Sequence, residues 1–300
     1  MQTLSLPSYA KINVGLHIQA KRADGFHEIE TILQQVSLKD SLHLSLLTAN
    51  TIKFVCSDRN LPVDERNLCV KAAMVLRQMT GCQKGVEIML EKRIPYGAGL
   101  GGGSSNAAVV LLGLNKLWHL GLRSQLLTKT AGTLGSDVPF FIDGGTALAR
   151  GRGERLQRVS HFLSTRTILL AIPEVRIATK WAYEQANLNL TKKKKNITLS
   201  RFKRGNFDSK NIFDSAVNDI EEVVFPQYPE LDDIKRRIAR KAEYASLSGS
   251  GSAIYGVFES KKDASCVKFD AASRVKTFVT HSVKWGFREI SNLDGDSEFA

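Results

Sequence analysis

The 300-residue chain lacks the sequence features that mark several large classes of protein. Its four cysteines (Cys56, Cys69, Cys82 and Cys266) form no C-x-x-C pair and accompany no histidine cluster, so neither a zinc site nor a disulfide framework is expected. No apolar run approaches the roughly 20 residues that a membrane-spanning helix needs, and the best one covers only residues 107–114. These absences predict reduced thiols, a cytoplasmic location without a secretory signal, and no membrane partner.

Acidic residues are absent from one long stretch of the chain. No Asp or Glu occurs in residues 92–136. The basic residues of the same stretch are Lys92, Arg93, Lys116, Arg123 and Lys129. Such a stretch suits a polyphosphate ligand, because it has no negatively charged side chain that would repel the negative phosphate groups.

Basic residues are concentrated in a second segment, residues 192–204. This segment holds seven Lys and Arg and no acid, and so supplies much of the formal net charge of +12. Its like charges repel one another, and it carries no repeated aromatic residues on which bases could stack. We therefore interpret the segment as a solvated loop and expect no nucleic-acid partner.

Length and composition indicate a globular protein of two domains. The chain is longer than one average domain, and its contents of 43% hydrophobic and 24% charged residues are ordinary. Strands and helices are predicted in mixed order, without strict β-α-β alternation, which favours an α+β architecture. We place an N-terminal domain at residues 1–155, a C-terminal domain at residues 156–285 and a polar tail at residues 286–300.

Hydrophobic periodicity predicts the main strands and helices. The first 20 residues alternate between apolar and polar side chains, which is typical of a half-buried strand or strand pair and puts Lys11 and Asn13 on one face. The other predicted strands are residues 29–36, 42–47, 86–90, 140–142, 146–149, 167–172, 244–247, 253–258 and 276–280. The predicted helices include residues 65–79, 104–118, 124–133, 211–224 and 230–242, and Gly81 ends the first of these.

A glycine-rich loop at residues 97–103 is the strongest local signal. It matches G-x-G-x-x-G, but no acid follows about 20 residues later to bind a ribose, so a dinucleotide-binding fold is not indicated. It is not a P-loop either, because Gly103 stands where the lysine is required. Glycines that reach positive φ and precede a helix N-terminus still form a site for anions. We predict that the loop binds phosphate; a plain turn capped by Ser104 is the alternative.

Four other features are ambiguous when they are taken singly. Asp137 lies just before an X-Pro step, so it is expected in a loop or strand entry and could be a turn or capping residue. Lys11 could be a solvated lysine of an edge strand. His27, beside the Asp24-Gly25 turn, could be structural, and the loop at residues 248–252 could be a simple hairpin.

Taken in order, five motifs of the chain resemble those of the GHMP kinase superfamily. They are SYAKINVGLHI (8–18), KRADGFHEIETI (21–32), PYGAGLGGGSSNAAVVLLGLNKLW (95–118), GSDVPFF (135–141) and SLSGSGSAIYGVF (246–258). The resemblance spans about residues 5–260. Within the superfamily it is close to the kinases that act on a cytidine diphosphate-linked methylerythritol, which the DGFHEI segment favours.

The resemblance implies a fold and a reaction. The fold would be two α+β domains, the N-terminal one similar to ribosomal protein S5 domain 2 and the C-terminal one ferredoxin-like, with the site in the cleft between them. The reaction would be transfer of the γ-phosphoryl group of ATP, with Mg²⁺, to the 2-hydroxyl of this small-molecule substrate in non-mevalonate isoprenoid precursor biosynthesis.

The catalytic pair that the resemblance implies is Lys11 and Asp137. Asp137 would accept the hydroxyl proton, while Lys11 would keep Asp137 ionised and stabilise the developing alkoxide. The phosphates of ATP would lie on the glycine loop, where a serine hydroxyl could meet Mg²⁺; the loop offers no acidic ligand for the metal. The ATP-binding residues carried over in this way are Pro95, Tyr96, Gly97, Ala98, Gly99, Leu100, Gly101, Gly102, Gly103, Ser104 and Ser105.

The substrate-binding residues that the resemblance implies are Asn13, Phe26, His27, Tyr183, Gly249 and Gly251. Phe26 would stack on cytosine and His27 would read its polar edge. The family often has tyrosine where Phe26 stands, so a phenol hydrogen bond would be lost here. Tyr183 is assigned as the second stacking aromatic by its spacing from the strand at residues 167–172, with Trp181 as the alternative. Gly249 and Gly251 would close over the substrate phosphates.

Three alternatives remain open at this point. The chain could be another GHMP kinase acting on mevalonate, homoserine or a sugar, a non-catalytic sensor of the superfamily, or a basic nucleic-acid-binding protein. The DGFHEI segment argues against the first, and the retention of Lys11 and Asp137 argues against the second. The sequence does not indicate an oligomeric state.

Overall fold

The computed structural model describes residues 2–190 and 212–284, so the basic segment at residues 192–204 and the tail at residues 286–300 lie outside the described residues. The strands are β1 (Thr3–Lys21), β2 (His27–Leu47), β3 (Ile52–Cys56), β4 (Gly85–Glu91), β5 (Thr146–Gly151), β6 (Arg155–Arg158), β7 (Thr167–Ile172), β8 (Tyr244–Leu247), β9 (Ile254–Phe258) and β10 (Lys276–His281). The helices are α1 (Leu68–Thr80), α2 (Gly102–Leu117), α3 (Ser124–Leu134), α4 (Val138–Asp143), α5 (Thr179–Leu190), α6 (Glu221–Gln227), α7 (Pro229–Ala239) and α8 (Lys261–Ser265). This mixture of elements confirms the predicted α+β class.

The first sheet is built on β2, whose two halves have different partners. The first half pairs with β5 and the second half with β4, while β1 runs antiparallel to nearly the whole strand. The prediction of two separate strands, 29–36 and 42–47, is wrong. Residues 39–41 are polar and break the alternation, but they stay paired with residues 7–9 of β1 and so continue the strand.

The alternation along β1 separates a core from a cleft. Ala10, Ile12 and Val14 pack into the hydrophobic core that the two sheets share. Lys11 and Asn13 point to the opposite face, where they line a cavity. Both residues are only 4% exposed, which excludes the alternative that Lys11 is a solvated lysine on an edge strand.

Helices α1 to α4 and the first sheet enclose the hydrophobic core of the N-terminal half. The start of α1 is capped by Asn67, whose side chain accepts a hydrogen bond from the Cys69 N–H. Gly81 ends this helix at φ +67°, as predicted. Helix α2 is buried over most of its length, in keeping with its long apolar run.

Two predictions for these helices are wrong. Helix α2 begins at Gly102 rather than Ser104, because Gly101 takes the N-cap position in the left-handed region and brings the chain into the helix two residues earlier. Residues 140–142 are helical, not a strand, because Pro139 lies in the first turn of α4, where its missing N–H breaks no helical hydrogen bond. Asp137 therefore precedes a helix. Strands β3 and β6 were not predicted.

The second sheet is antiparallel, with strand order β10-β7-β9-β8, and α7 and α8 pack against β9. The helix predicted over residues 211–224 is wrong for residues 214–220, and residue 211 lies outside the described residues. Residues 217–219 run beside β1, where Leu16 exchanges two backbone hydrogen bonds of 2.8 Å with Val217 and Asp219, so that α6 begins only at Glu221.

The two sheets meet along the shared core, and a cleft opens beside it. Strand β6 still pairs with β5 in the first sheet, and the boundary between residues 155 and 156 stays a prediction. Among the helices of the described residues, none has the length and apolar character needed to cross a bilayer.

Candidate active site

Two cavities meet at the glycine-rich loop between β4 and α2. The larger, of about 680 Å³, lies in the cleft between the N-terminal and C-terminal halves. The smaller, of about 300 Å³, lies between the loop and the start of α1. Gly99, Gly101 and Ser104 line both cavities. The loop therefore forms a common wall, which is the arrangement needed to bring two ligands together.

Lys11 and Asp137 lie side by side in the larger cavity. Lys11 enters from β1 and Asp137 from the residue before α4, and the distance from Lys11 Nζ to Asp137 Oδ2 is 3.4 Å. The lysine side chain is 5% exposed and the aspartate side chain 34% exposed, so the carboxylate is the more accessible partner. Such a pair can accept a proton from a hydroxyl group and stabilise the negative charge that the oxygen then carries.

Asn13 holds the Lys11 ammonium in place. Lys11 Nζ donates to Asn13 Oδ1 at 2.6 Å, and Asn13 Nδ2 donates to Thr31 Oγ1 at 3.1 Å. The Asn13 carbonyl accepts a 2.7 Å hydrogen bond from the Tyr255 hydroxyl on β9, which ties β1 to the second sheet. Asn13 lines the cavity as well, so it is placed both to position the lysine and to contact a ligand.

Positive φ angles let the glycine loop run close to its neighbours. Gly97, Gly99 and Gly101 have φ between +67° and +75°. A Cβ on Gly99 would lie 2.1 Å from the Ser248 carbonyl oxygen, and one on Gly101 would lie 2.9 Å from Lys11 Cγ. Side chains at these two positions would therefore push the loop away from the C-terminal half and from Lys11.

The N-terminus of α2 faces the junction of the two cavities. Gly101 is the N-cap, and the Ser105 N–H already bonds back to the Gly101 carbonyl at 2.9 Å. The first N–H groups of a helix have no acceptor within it, and they lie at the positive end of the helix dipole. Those of Gly102, Gly103 and Ser104 are thus suited to phosphate oxygens, which supports the anion-binding interpretation of the loop.

A buried ion pair holds the two ends of the glycine loop in place. Asp40 on β2 is fully buried, and its Oδ2 lies 2.5 Å from Lys92 Nζ. Asp40 Oδ1 accepts from the Arg93 and Ile94 N–H groups at 2.7 and 2.8 Å, and Asp40 Oδ2 also accepts from Asn106 Nδ2 at 2.9 Å. Asp40 thereby joins the chain before the loop to the helix after it.

The basic residues of the acid-free stretch differ in their distance from the site. Lys92 lines the smaller cavity. Arg93, Lys116, Arg123 and Lys129 are not among the described residues that line either cavity. Arg66, just before α1, lines the smaller cavity although it lies outside that stretch. The positive charge near the loop thus comes from fewer residues of the stretch than its composition indicates.

Phe26 and His27 occupy different environments at the far end of the larger cavity. The Phe26 N–H donates to Asp24 Oδ1 at 3.2 Å, and the Arg22 guanidinium beside Asp24 holds the pKa of that carboxyl below its usual range. The Phe26 side chain is 50% exposed. His27 is buried and stacks on Tyr183, with the ring centroids 5.4 Å apart and the planes at 28°.

The two candidates for the second aromatic are separated by the fold. Tyr183 on α5 lines the larger cavity. Trp181 packs edge to face against Tyr228, with the ring centroids 5.9 Å apart, beside the C-terminal core. Burial raises the pKa of the Tyr183 phenol above its usual range, and the charge of Asp137 adds to the rise. The geometry therefore favours Tyr183, as a protonated phenol, over Trp181.

The loop at residues 248–252 closes the larger cavity from the C-terminal side. Ser248 Oγ donates to the Gly99 carbonyl at 3.1 Å. A Cβ on Gly249 would lie 3.1 Å from Asn13 Oδ1 and 3.5 Å from Lys11 Nζ. These close approaches connect residues 248–252 to the glycine loop and to Lys11 and Asn13, which a simple surface hairpin would not do.

Asn218 positions that loop. Its side chain is 1% exposed, and its amide nitrogen donates to the carbonyl groups of Leu247 and Gly249 at 2.9 and 2.8 Å. Its Oδ1 accepts from the Ile220 N–H at 3.0 Å. Its neighbours Val217 and Asp219 form backbone hydrogen bonds with Leu16 on β1. Asn218 therefore fixes the position of the loop relative to the strand that carries Lys11.

The remaining predicted residues lie around these contacts. The smaller cavity is lined by Pro95, Tyr96, Gly97, Ala98, Leu100, Gly102 and Gly103 as well as by the three shared residues. Ser105 is buried, and its Oγ accepts a 2.8 Å hydrogen bond from Ser8 Oγ. A Cβ on Gly251 would lie 2.9 Å from Leu247 Cδ1, so this glycine packs against the C-terminal core.

Several cavity residues were not identified from the sequence. Among them are Ser136, Arg152, Thr179 and Lys180 in the larger cavity and Arg66 and Asn67 in the smaller one. The sequence held a signal for Arg152, since Gly151 and Gly153 indicate a tight turn and Arg152 is the charged residue between them. Thr179 and Lys180 lie outside every motif, and only the fold brings them to the cavity.

Profiles of known families match both halves of the chain. The profile of the GHMP kinases N terminal domain matches residues 67–145, and that of the GHMP kinases C terminal region matches residues 204–275. The N-terminal match contains the glycine loop and Asp137. The C-terminal match contains the loop at residues 248–252.

Named relatives cover most of the chain. It is 41% identical over 259 residues to the 4-diphosphocytidyl-2-C-methyl-D-erythritol kinase of Chlorobium chlorochromatii (strain CaD3), a match that covers 86% of this chain and 89% of that protein. It is 38% identical over 288 residues to the protein of the same name from Clostridioides difficile (strain 630), covering 95% of this chain and 97% of that protein.

Solved structures share the fold. A crystal structure of 4-(cytidine 5'-diphospho)-2C-methyl-D-erythritol kinase superposes with a TM-score of 0.74 and 30% identity, covering 93% of this chain and 99% of that one. A homoserine kinase from Cytophaga hutchinsonii gives a TM-score of 0.69 at 22% identity, covering 94% of this chain and 95% of that one, which shows a common fold. The chain thus belongs to the GHMP kinases and, within them, to the family of 4-diphosphocytidyl-2-C-methyl-D-erythritol kinases.

Proposed function

We propose that this protein transfers the γ-phosphoryl group of ATP to the 2-hydroxyl of 4-diphosphocytidyl-2-C-methyl-D-erythritol, giving the 2-phosphate and ADP, in non-mevalonate isoprenoid precursor biosynthesis. One observation carries the proposed mechanism: the Lys11–Asp137 pair lies in the larger cavity, beside the loop that this cavity shares with the smaller one. Family membership indicates the acceptor.

The smaller cavity is the proposed ATP site. Its glycine loop and the N-terminus of α2 offer backbone N–H groups to the phosphates, beside Lys92, which pairs with Asp40, and Arg66, which pairs with Asp64. Phosphoryl transfer depends mainly on positioning and on stabilising charge. A phosphate chain on this loop would place its γ-phosphoryl group toward the shared wall and the larger cavity.

The larger cavity is the proposed acceptor site. Cytosine would lie at Phe26, His27 and Tyr183, and the 2-hydroxyl would lie at Asp137. Asp137 accepts the hydroxyl proton as the oxygen bonds to the γ-phosphorus and the bond from that phosphorus to the β–γ bridging oxygen breaks. Lys11, held by Asn13 at 2.6 Å, stabilises the charge on the attacking oxygen.

Magnesium is proposed to enter with ATP. No group of three or more His, Cys, Asp or Glu among the described residues could hold a metal ion. The oxygen donors beside the loop, the Ser104 hydroxyl and the Asp137 carboxylate, fit an ion that phosphate oxygens hold for the most part. When bound, Mg²⁺ would neutralise charge on the transferring phosphoryl group.

The proposal is tested by ATP consumption with each candidate acceptor. We expect turnover with the cytidyl substrate and little with mevalonate or homoserine under the same conditions. Equal or faster turnover of mevalonate or homoserine would overturn the assigned acceptor.

The described residues carry all four cysteines as free thiols, which supports the proposed cytoplasmic location. The predicted absence of a nucleic-acid partner stays a prediction.

A further inference from the structure

Arg152 reaches the larger cavity from a turn that glycine makes possible. The turn joins β5 to β6, and the residues on either side of Arg152 have φ values of +74° at Gly151 and +111° at Gly153. Residues other than glycine rarely adopt such φ values. The turn presents the Arg152 side chain to the cavity, which it lines.

The turn touches two distinct parts of the candidate site. The central guanidinium carbon of Arg152 lies over the ring of Phe26, 4.8 Å from its centroid. One residue further, a Cβ on Gly153 would lie 3.8 Å from Asp137 Oδ1. The turn therefore adjoins the aromatic ring that is assigned to the base, through Arg152, and the carboxylate that is assigned to the hydroxyl, through Gly153.

The proposed acceptor carries its diphosphate between those same two groups. With the base at Phe26 and the hydroxyl at Asp137, the diphosphate would lie in the cavity that Arg152 lines with them. A guanidinium can bind phosphate oxygens through parallel N–H donors in its plane while one of its faces stays on an aromatic ring. The Arg152 side chain is 31% exposed and its nearest described carboxylate, Glu154, is 4.0 Å away, which leaves donors available to a ligand.

Among the described residues, the lysines that line the cavity are Lys11 and Lys180, and both are placed differently from Arg152. Lys11 Nζ is engaged by Asn13 at 2.6 Å and by Asp137 at 3.4 Å. The Lys180 side chain is 87% exposed and lies 3.9 Å from Glu184 on the same helix. Arg152 combines partial burial with a fixed position over Phe26, so its charge is the better placed to recognise a group next to the base.

We propose that Arg152 is a specificity-determining residue that binds the diphosphate of the acceptor while it is packed on Phe26. The inference rests on the proposed function, because the proposed acceptor supplies the diphosphate. It assigns the enzyme a preference for a base that carries a diphosphate over the same base without one.

The test compares the binding of cytidine and cytidine 5'-diphosphate by calorimetry. The wild type is compared with Arg152→Met, which keeps the apolar stem and loses the charge, and with Arg152→Lys, which keeps the charge. We expect the wild type to prefer the diphosphate and Arg152→Met to lose about tenfold or more of that preference, as for a charge-assisted hydrogen bond. The affinity for cytidine should change much less, and Arg152→Lys should recover part of the preference.

Arg155→Met is the matched control. Arg155 follows the same turn, its side chain is 61% exposed, and it bonds to Glu28. Removing this charge should leave the preference for the diphosphate unchanged, and an equal loss would show a general effect of charge and overturn the inference. An equal weakening of both ligands by Arg152→Met would also overturn it, since Arg152 would then only support Phe26.

Turnover separates this inference from the proposed function. If the wild type phosphorylates the cytidyl substrate and Arg152→Met keeps the full preference for the diphosphate, only the inference is overturned. If the wild type binds neither cytidine nor its diphosphate and does not phosphorylate the cytidyl substrate, the proposed function fails and the inference fails with it.

Discussion

Lys11 Nζ lies 3.4 Å from Asp137 Oδ2, although the two residues come from the first strand and from the start of the fourth helix. Helix α2 brings them together, since it packs against both β1 and α4. The N-cap of the same helix is Gly101, which has no Cβ and so leaves room for the Lys11 side chain. The helix that follows the glycine loop therefore also sets the distance between Lys11 and Asp137.

Replacing Asp137 with asparagine should remove the proton acceptor and preserve the shape of the site. We expect kcat for the cytidyl substrate to fall by about 10²-fold or more, as when a general base is lost. The ATP-induced rise in melting temperature should remain. Asp143→Asn is the control, because Asp143 ends the same helix and pairs with Arg158 at 3.2 Å where both side chains are 41% exposed. Activity of Asp137→Asn within a few-fold of wild type would remove Asp137 from the mechanism.

Replacing Phe26 with alanine should weaken the binding of cytosine. Base stacking on an aromatic side chain contributes about 1–3 kcal/mol in single-stranded nucleic-acid sites, so we expect KM for the cytidyl substrate to rise and KM for ATP to stay constant. Phe26→Tyr keeps the stacking surface and should stay close to wild type. Steady-state kinetics with each substrate varied in turn make the measurement. A parallel rise of both KM values would assign Phe26 a role in folding.

Replacing Gly103 with alanine tests the phosphate-binding role of the loop without straining it. Gly103 lies in the first turn of α2 without a positive φ, and a Cβ there would lie 3.8 Å from Leu68 Cδ1, at ordinary contact distance on the wall of the smaller cavity. Alanine favours a helix by up to about 1 kcal/mol over glycine, so the free protein should keep or raise its melting temperature. The rise induced by Mg-ATP should shrink because the methyl group enters the cavity.

Gly132→Ala is the matched control for that experiment. Gly132 lies within α3 without a positive φ, and a Cβ there would be 3.9 Å from Pro139 Cγ. This variant should keep the full nucleotide-induced rise. A full rise in Gly103→Ala as well would contradict the assignment of the smaller cavity to ATP.

Replacing Asp40 with asparagine should lower the free energy of unfolding of the protein. Asp40 is fully buried and the Lys92 side chain is 7% exposed, so the variant leaves a lysine charge without its counter-ion. Breaking a buried pair in this way costs about 3–5 kcal/mol of unfolding free energy. Urea unfolding measures the loss. The double variant Asp40→Asn, Lys92→Met should recover part of it, and a double variant that is less stable than the single one would contradict this account.

Much of the fold could be predicted from local patterns. The strand predicted at residues 167–172 has those bounds in the structure, and the helix predicted at residues 124–133 differs by one residue. These elements follow from the spacing of apolar side chains within one segment. One wrong prediction depends on a partner elsewhere, since residues 39–41 stay extended because β1 pairs with them. Another has a local cause, since residues 140–142 are helical because Pro139 lies in the first turn of α4, although their apolar run resembles a strand.

The candidate site divides in the same way. The sequence by itself determined the glycine loop, because its glycines and the helix that follows them lie in one segment. It indicated Lys11, Asp137 and the aromatic residue beside the Asp24-Gly25 turn only through the order of the motifs that resemble the GHMP kinases. Only the tertiary structure decided that Tyr183 rather than Trp181 faces the cavity and that Asp40 lies under the loop. It alone put Arg152 over Phe26. These contacts join segments far apart in the chain, and their geometry is set by how sheets and helices pack, which local periodicity does not encode.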